Sequence, residues 1–257
     1  MHCPRSSRFF PLLFVLAAIL QSAQAAPVKV LHPQGCAHGF VEVTTLKGQR
    51  IAIGDMKQRL RGTVVTSQLT LHFFDGSLDD ETTVYSQRGT FRFIRDHHVQ
   101  RGPSFPYPLD ATVVATGLVI TVDPTGKTTQ AHIDMPPDVY NGLASSLLMN
   151  VGPSAPETTI AVVVAAATPR IVHLVMKNAG QVPFNLGGTP RMATDFDVHV
   201  DLGGVTGIVA PLVGKEPHDY HVLLVTGEDP AFIREDGPLF PGGPICRIQQ
   251  ISATFPE

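Results

Sequence analysis

The chain of 257 residues has no tryptophan, only four tyrosines and only three cysteines. So few thiols exclude a disulfide-stapled miniprotein, and no paired Cys-x-x-Cys spacing marks a zinc site. Neither a His-Glu-x-x-His motif nor a Gly-x-Ser-x-Gly elbow occurs, so the common signatures of zinc and serine hydrolases are missing. Gly187-Gly188 and Gly203-Gly204 read as turns rather than phosphate cradles, because no helix pattern follows either pair. Basic runs are absent too, and the formal net charge is −3. A mildly acidic chain without basic patches is a poor partner for nucleic acid or anionic headgroups. Beyond residue 20 no apolar stretch approaches the about 20 residues that a membrane helix needs, and the aliphatic run at 162–167 is strand-sized.

What is present begins with an export signal. Arg5 and Arg8 precede an uncharged run at 9–20, and Ala23-Gln24-Ala25 offers a small-x-small cleavage site before Ala26. The first 25 residues are therefore predicted to be a signal peptide. Residues 26–257 would form a single β-rich domain that is exported, periplasmic or secreted, with no membrane span after cleavage. Removing two arginines and no acid takes the net charge from −3 to −5. It also leaves two cysteines, Cys36 and Cys246. In an oxidising compartment these are a candidate disulfide between the first and last elements; the alternative is two thiols far apart.

Alternation dominates the rest. Residues 69–73, 82–86, 90–94, 117–122, 127–133, 160–166, 170–176, 192–202, 205–209, 220–225 and 245–255 read as strands, several separated by Gly, Pro and Asp turns. One segment differs. Pro136-Pro137-Asp138 leads into Val139, Leu143 and Leu147 at i, i+4, i+8, which predicts a buried helix near 137–150. The expected fold is mainly β: an antiparallel β-barrel or half-barrel, or a sandwich, with that helix at its centre.

An internal echo stands out. Phe93-Ile94-Arg95-Asp96 precedes Gly102-Pro103-Ser104-Phe105-Pro106, and Phe232-Ile233-Arg234-Glu235 precedes Gly237-Pro238-Leu239-Phe240-Pro241. It reads either as two matching loops flanking one ligand mouth or as a chance recurrence of strand-then-proline loops.

Four groups could carry chemistry. Asp195, Asp197, His199 and Asp201 share one face of a strand, and His218 and His221 lie nearby. Asp197, His199, His218 and His221 are thus the candidate metal ligands, although a polar alternate face is also what any half-solvated strand shows. Residues 78–81 are acidic after a turn and read as a solvated hairpin tip, with paired-carboxylate chemistry or calcium binding as the alternative. His97 and His98 must point to opposite faces, so at most one joins His72 inside. Finally, the uncharged helix would line or plug an apolar cavity. Leu143, Leu147, Phe105 and Phe240 are accordingly the candidate residues for an apolar or lipid-like ligand, with a filled core as the alternative. No catalytic residue and no cofactor is indicated.

Several stretches resemble a group of exported bacterial proteins of unknown function. They are residues 71–81 (LHFFDGSLDDE), 91–94 (FRFI), 97–100 (HHVQ), 102–106 (GPSFP), Pro136-Pro137-Asp138, 207–215 (GIVAPLVGK) and 242–247 (GGPICR). More loosely, the pattern is similar to half-barrel envelope proteins closed by a helix, such as bacterial lipoprotein carriers. The resemblance implies a fold and carries no functional residue. Non-catalytic binding of an apolar ligand in the cell envelope is the first expectation. A metal-dependent hydrolase, or a structural or partner-binding envelope protein acting through the Phe105 and Phe240 loops, is the alternative.

Overall fold

The computed structural model describes residues 27–152, 155, 157–166, 168–202 and 219–252. The predicted signal peptide, the strand expected at 205–209 and His218 lie outside them.

The first half of the chain forms β1 (Ala37–Thr45), β2 (Arg50–Arg61), β3 (Val64–Phe73), β4 (Leu78–Arg88), β5 (Thr90–Arg101), β6 (Leu109–Val114), β7 (Leu118–Val122) and β8 (Thr128–His132). A short helix α1 (Ala144–Leu148) follows. The second half forms β9 (Thr158–Val164), β10 (Arg170–Leu186), β11 (Thr189–Asp201), β12 (Tyr220–Val225), β13 (Ala231–Pro238) and β14 (Ile245–Ile251). All fourteen strands belong to one antiparallel sheet in the order β8-β7-β6-β5-β4-β3-β2-β1-β14-β13-β12-β11-β10-β9. Each half is thus a meander, and the two are joined where β1 pairs with β14, Phe40 opposite Ile251 and Thr45 opposite Cys246.

Alternation decides which face is covered. On β4 the buried positions are Asp79, Thr83, Tyr85 and Gln87. On β11 and β12 they include Phe196, Val198, Val222 and Leu224. Apolar side chains from both halves meet α1 and its flanks in one large core. A smaller cluster gathers Val41, Val43, Ala52, Leu71, Phe73, Phe105 and Cys246 around the central strands.

Four expectations need correction. The sheet is not closed into a barrel and is not split into a sandwich: β8 and β9 are its two ends. The connection between them takes the hydrogen bonds that closure would need. Val139 bridges Ala161 in parallel, and Tyr140 N–H donates to Ala161 O at 2.9 Å. The Asn141 side chain continues this pairing, accepting from Val163 N–H and donating to Val163 O, each at 2.9 Å. An edge already paired has no donors left for another strand.

The helix is shorter than predicted, for the same reason. Residues 138–141 pair with β9 through Asp138 O, Tyr140 N–H and the Asn141 side chain, and Gly142 at φ 64° resets the chain before the helix starts. The apolar stripe is still buried: Val139, Leu143 and Leu147 are at most 3% exposed.

The proposed disulfide is absent. Cys246 lies opposite Thr45 at one end of β1, whereas Cys36 precedes the other end and accepts the Leu60 N–H at 3.3 Å. Nine strand residues separate those ends by about 30 Å, far beyond the about 7 Å that a disulfide tolerates between Cα atoms.

Lastly, residues 78–81 are no hairpin tip. β4 begins at Leu78 and carries Asp79 into the interior, 6% exposed.

Candidate ligand cavity

Inside the sheet, β4, β5 and β13 bring together Asp79, Glu81, Asp96, His98 and Glu235, all at positions that face inward. The echoed Phe-Ile-Arg-acid segments explain two of them. On an unbroken strand, residues three apart lie on opposite faces. In β5, Arg95 pairs with Val84 but Phe93 pairs with Tyr85, which leaves Ile94 as an extra bulged residue. In β13, Arg234 pairs with Leu223 and Phe232 with Leu224, which leaves Ile233 bulged in the same way. The extra residue turns Phe93 and Asp96 to one face, and likewise Phe232 and Glu235. Both acids therefore enter the interior from equivalent places on two strands.

The Pro loops that follow also converge. The rings of Phe105 and Phe240 pack edge to face at 5.9 Å, and Phe105 meets Phe73 at 5.3 Å. Gln100 ties the two loops' strands together, donating to Asp79 Oδ2 at 3.0 Å and to Leu239 O at 2.7 Å.

Two cavities open beside the acids, and Glu81 lines both. The larger, about 430 Å³, is walled by Leu109, Ala111 and Val113 from the β6 side, by 163–166 from the β9 side and by Leu239 and Phe240. Its polar lining is Glu81, Asp96, His98, Gln100, Tyr107, Asn141 and Arg170. The smaller, about 270 Å³, holds Glu81, Tyr220 and Glu235 among Met56, Leu69, Phe232 and Ile248.

Burial sets the electrostatics. It raises the Asp96 carboxyl to about 7, with Glu81 adding to the rise and His98 and a 3.0 Å hydrogen bond from Thr83 Oγ1 opposing it. Glu235 is lifted to about 7 by burial and by the neighbouring Asp236. Glu81 is raised by burial, with His98 opposing and Asp79 and Glu235 reinforcing. The Tyr220 phenol is raised by burial and by Glu235 and Glu81. For His98, burial favours the neutral ring. The 2.7 Å contact with Asp79 and the surrounding acids outweigh it and raise the imidazole to about 9. His98 is therefore a cation at neutral pH, bound to Asp79. Carboxylates that hold protons near pH 7 inside a cleft mark a candidate site.

The residues anticipated from sequence fall into three groups. Phe240 lines the larger cavity, and Phe105 is buried behind it at 2% exposure. Leu143 and Leu147 are fully buried in the packed core and line neither cavity. Asp197, His199 and His221 lie on the outer face of β11 and β12, where His199 contacts Asp219 at 2.6 Å and His221 contacts Asp195 at 3.2 Å. Among the described residues no three His, Cys, Asp or Glu form a group that could hold a metal ion. Of the paired histidines, His98 is the inward one; His97 turns out to Asp110, and His72 is exposed on the outer face. Missing from the sequence reading were Asp96, Gln100, Tyr220 and Glu235. The echo held the signal for Asp96 and Glu235, but the bulges that aim them cannot be read from residue type.

No known family, curated protein or solved structure matches the chain. Among the described residues no helix is long and apolar enough to cross a membrane.

Proposed function

We propose that the protein is a non-catalytic carrier in the cell envelope that binds an apolar or lipid-like ligand inside a half-barrel. The observation that carries this reading is the cavity of about 430 Å³ between opposite ends of one sheet, with apolar residues of β6, β9 and the β13–β14 loop as walls. A concave, mostly apolar pocket with a few convergent polar groups is the usual form of a small-molecule site. The half-barrel reading has the same support, since Ala111 and Val163 come from strands near opposite ends of the sheet yet line one space. The export signal would place the carrier outside the cytoplasm, in keeping with the resemblance to exported half-barrel proteins.

Metal-dependent hydrolysis finds less support, since among the described residues, which do not include His218, no three His, Cys, Asp or Glu form a group that could hold a metal ion. Partner binding through the proline loops finds less support, because Phe105 is buried against Phe73 and Phe240 and only Phe240 is left half-exposed.

The test is calorimetric titration with octanol, paired with Ala111→Phe, which places a ring in the cavity. Saturable octanol binding that Ala111→Phe abolishes, in a variant with an unchanged circular dichroism spectrum, is the expected result. Absence of any octanol binding to the unmodified protein overturns the reading.

A further inference from the structure

Glu81, Tyr220 and Glu235 are out of keeping with an ordinary apolar pocket. Each is half-buried and lines the smaller cavity. Among the described residues, no hydrogen bond engages either carboxylate or the Tyr220 hydroxyl. This differs from the neighbouring polar groups. Asp79 is held by His98 and Gln100, and Asp96 by Thr83. A half-buried carboxylate without protein donors has lost part of its hydration and gained no hydrogen bond in exchange. Two such groups beside one cavity, with a phenol between them in the electrostatic sense, are acceptors awaiting a donor.

The lining selects the donor's charge. No residue lining the smaller cavity is basic, and its remaining polar groups are neutral: Gln58, Ser67, Thr83, Tyr140, Ser145 and Ser146. The cationic groups His98 and Arg170 line the larger cavity instead. His98 is committed to Asp79. Glu81 lines both spaces. A molecule with its apolar part in the larger cavity would meet Glu81 at its polar end, with Glu235 beyond it in the smaller cavity.

We propose that the ligand's polar end is an ammonium group, held in the smaller cavity by Glu81 and Glu235 with Tyr220 beside them. This rests on the carrier reading above and adds the ligand's chemical class, an amphiphilic amine. An ammonium brings three donors and a positive charge. In a low-dielectric cavity a charge-assisted hydrogen bond to a carboxylate is about twice as strong as a neutral one. An anionic head would share the smaller cavity with Glu81 and Glu235, and no basic residue lines that cavity to offset it. Gly142 belongs to the same arrangement. Its backbone passes so close to Thr83 and Glu81 that a Cβ would overlap Thr83 Oγ1, which keeps the strap at 140–142 pressed onto the acids.

The experiment compares three probes with one chain length, octylamine, octanol and octanoate, by calorimetric titration near neutral pH. Octylamine is expected to bind about tenfold tighter than octanol, and octanoate weaker than either. Glu235→Gln and Glu81→Gln, each checked for an unchanged circular dichroism spectrum, should bring octylamine down to the octanol level without changing octanol. Equal affinities for octylamine and octanol, or a preference for octanoate, overturn the ammonium assignment while leaving the apolar carrier intact. No binding of octanol or octylamine overturns the carrier reading itself. The three-probe comparison on the unmodified protein decides the matter even where a variant fails to fold.

Discussion

Two parts of this sheet carry the same arrangement of acids and histidines and use it in opposite ways. On β11 and β12, Asp195, Asp197, His199 and His221 stand on the outer face, and the side chains of the His199–Asp219 pair are 56% and 49% exposed. On β4 and β5, Asp79, Glu81, Asp96 and His98 stand on the inner face, and the His98–Asp79 pair is 25% and 9% exposed. The two ion pairs are nearly the same length, 2.6 and 2.7 Å. Distance alone therefore does not rank them; the surrounding dielectric does. Outside, water screens both partners and the pair contributes little. Inside, removing one partner strands the other without hydration.

That contrast is most directly broken by deleting the histidine on each side. His98→Ala should cost on the order of 2 kcal/mol, because Asp79 keeps only Gln100 as a partner. His199→Ala should cost about 0.5 kcal/mol or less. Urea denaturation of the two variants beside the unmodified protein measures both. Equal losses would mean that the inner cluster is as well solvated as the outer row.

A pH series sharpens the same comparison. Asp96 and Glu235 keep their protons in the folded protein up to about 7, against ordinary values of 3.8 and 4.5. Between those limits the folded state binds more protons than the unfolded one, so stability falls as pH rises. His98 works in the same direction. Its folded value of about 9 lies above the ordinary 6.5, so its stabilising share is complete below the lower value and lost as pH climbs through the upper one. The melting temperature should therefore decline from about pH 5 to about pH 9. Glu235→Gln should flatten the acidic half of that slope and leave the alkaline half. A melting temperature that rises over this range would contradict the buried protons.

Much of this molecule was open to reading in advance, and the part that was not has a definite physical cause. Alternation located β12 to the residue, most of β7, β8, β9 and β11, and half of β3, because a half-buried strand needs a period of two. The apolar stripe of Val139, Leu143 and Leu147 marked buried positions correctly. It marked a helix too early because local periodicity carries no information about a distant strand edge, and β9 claims residues 138–141 through bonds to Ala161 and Val163. Strands β1, β2 and β6 drew no signal. The site was the least legible part. Asp79 and Glu81 read as part of a solvated hairpin tip and Asp195 as a polar alternate position, and period two says which residues share a face without saying which face is inside. Bulges at Ile94 and Ile233 then decide that Asp96 and Glu235 join the interior.

The cysteines give the smallest effect and the cleanest division between inside and outside. Cys36 is exposed near the start of β1, whereas Cys246 is buried at 3% exposure, and burial raises its thiol above the ordinary value. Thiolate is the reactive form, so both access and ionisation protect Cys246. In the folded chain from Ala26 onward, iodoacetamide should label Cys36 alone, and labelling of Cys246 should wait for denaturant. Reduction should leave the melting temperature where it was, since no bridge exists to break. A bridge closing so long a loop would have been worth roughly 5 kcal/mol, so a large drop on reduction, or two unreactive thiols in denaturant before reduction, would overturn the strand register that holds the two residues at opposite ends of β1.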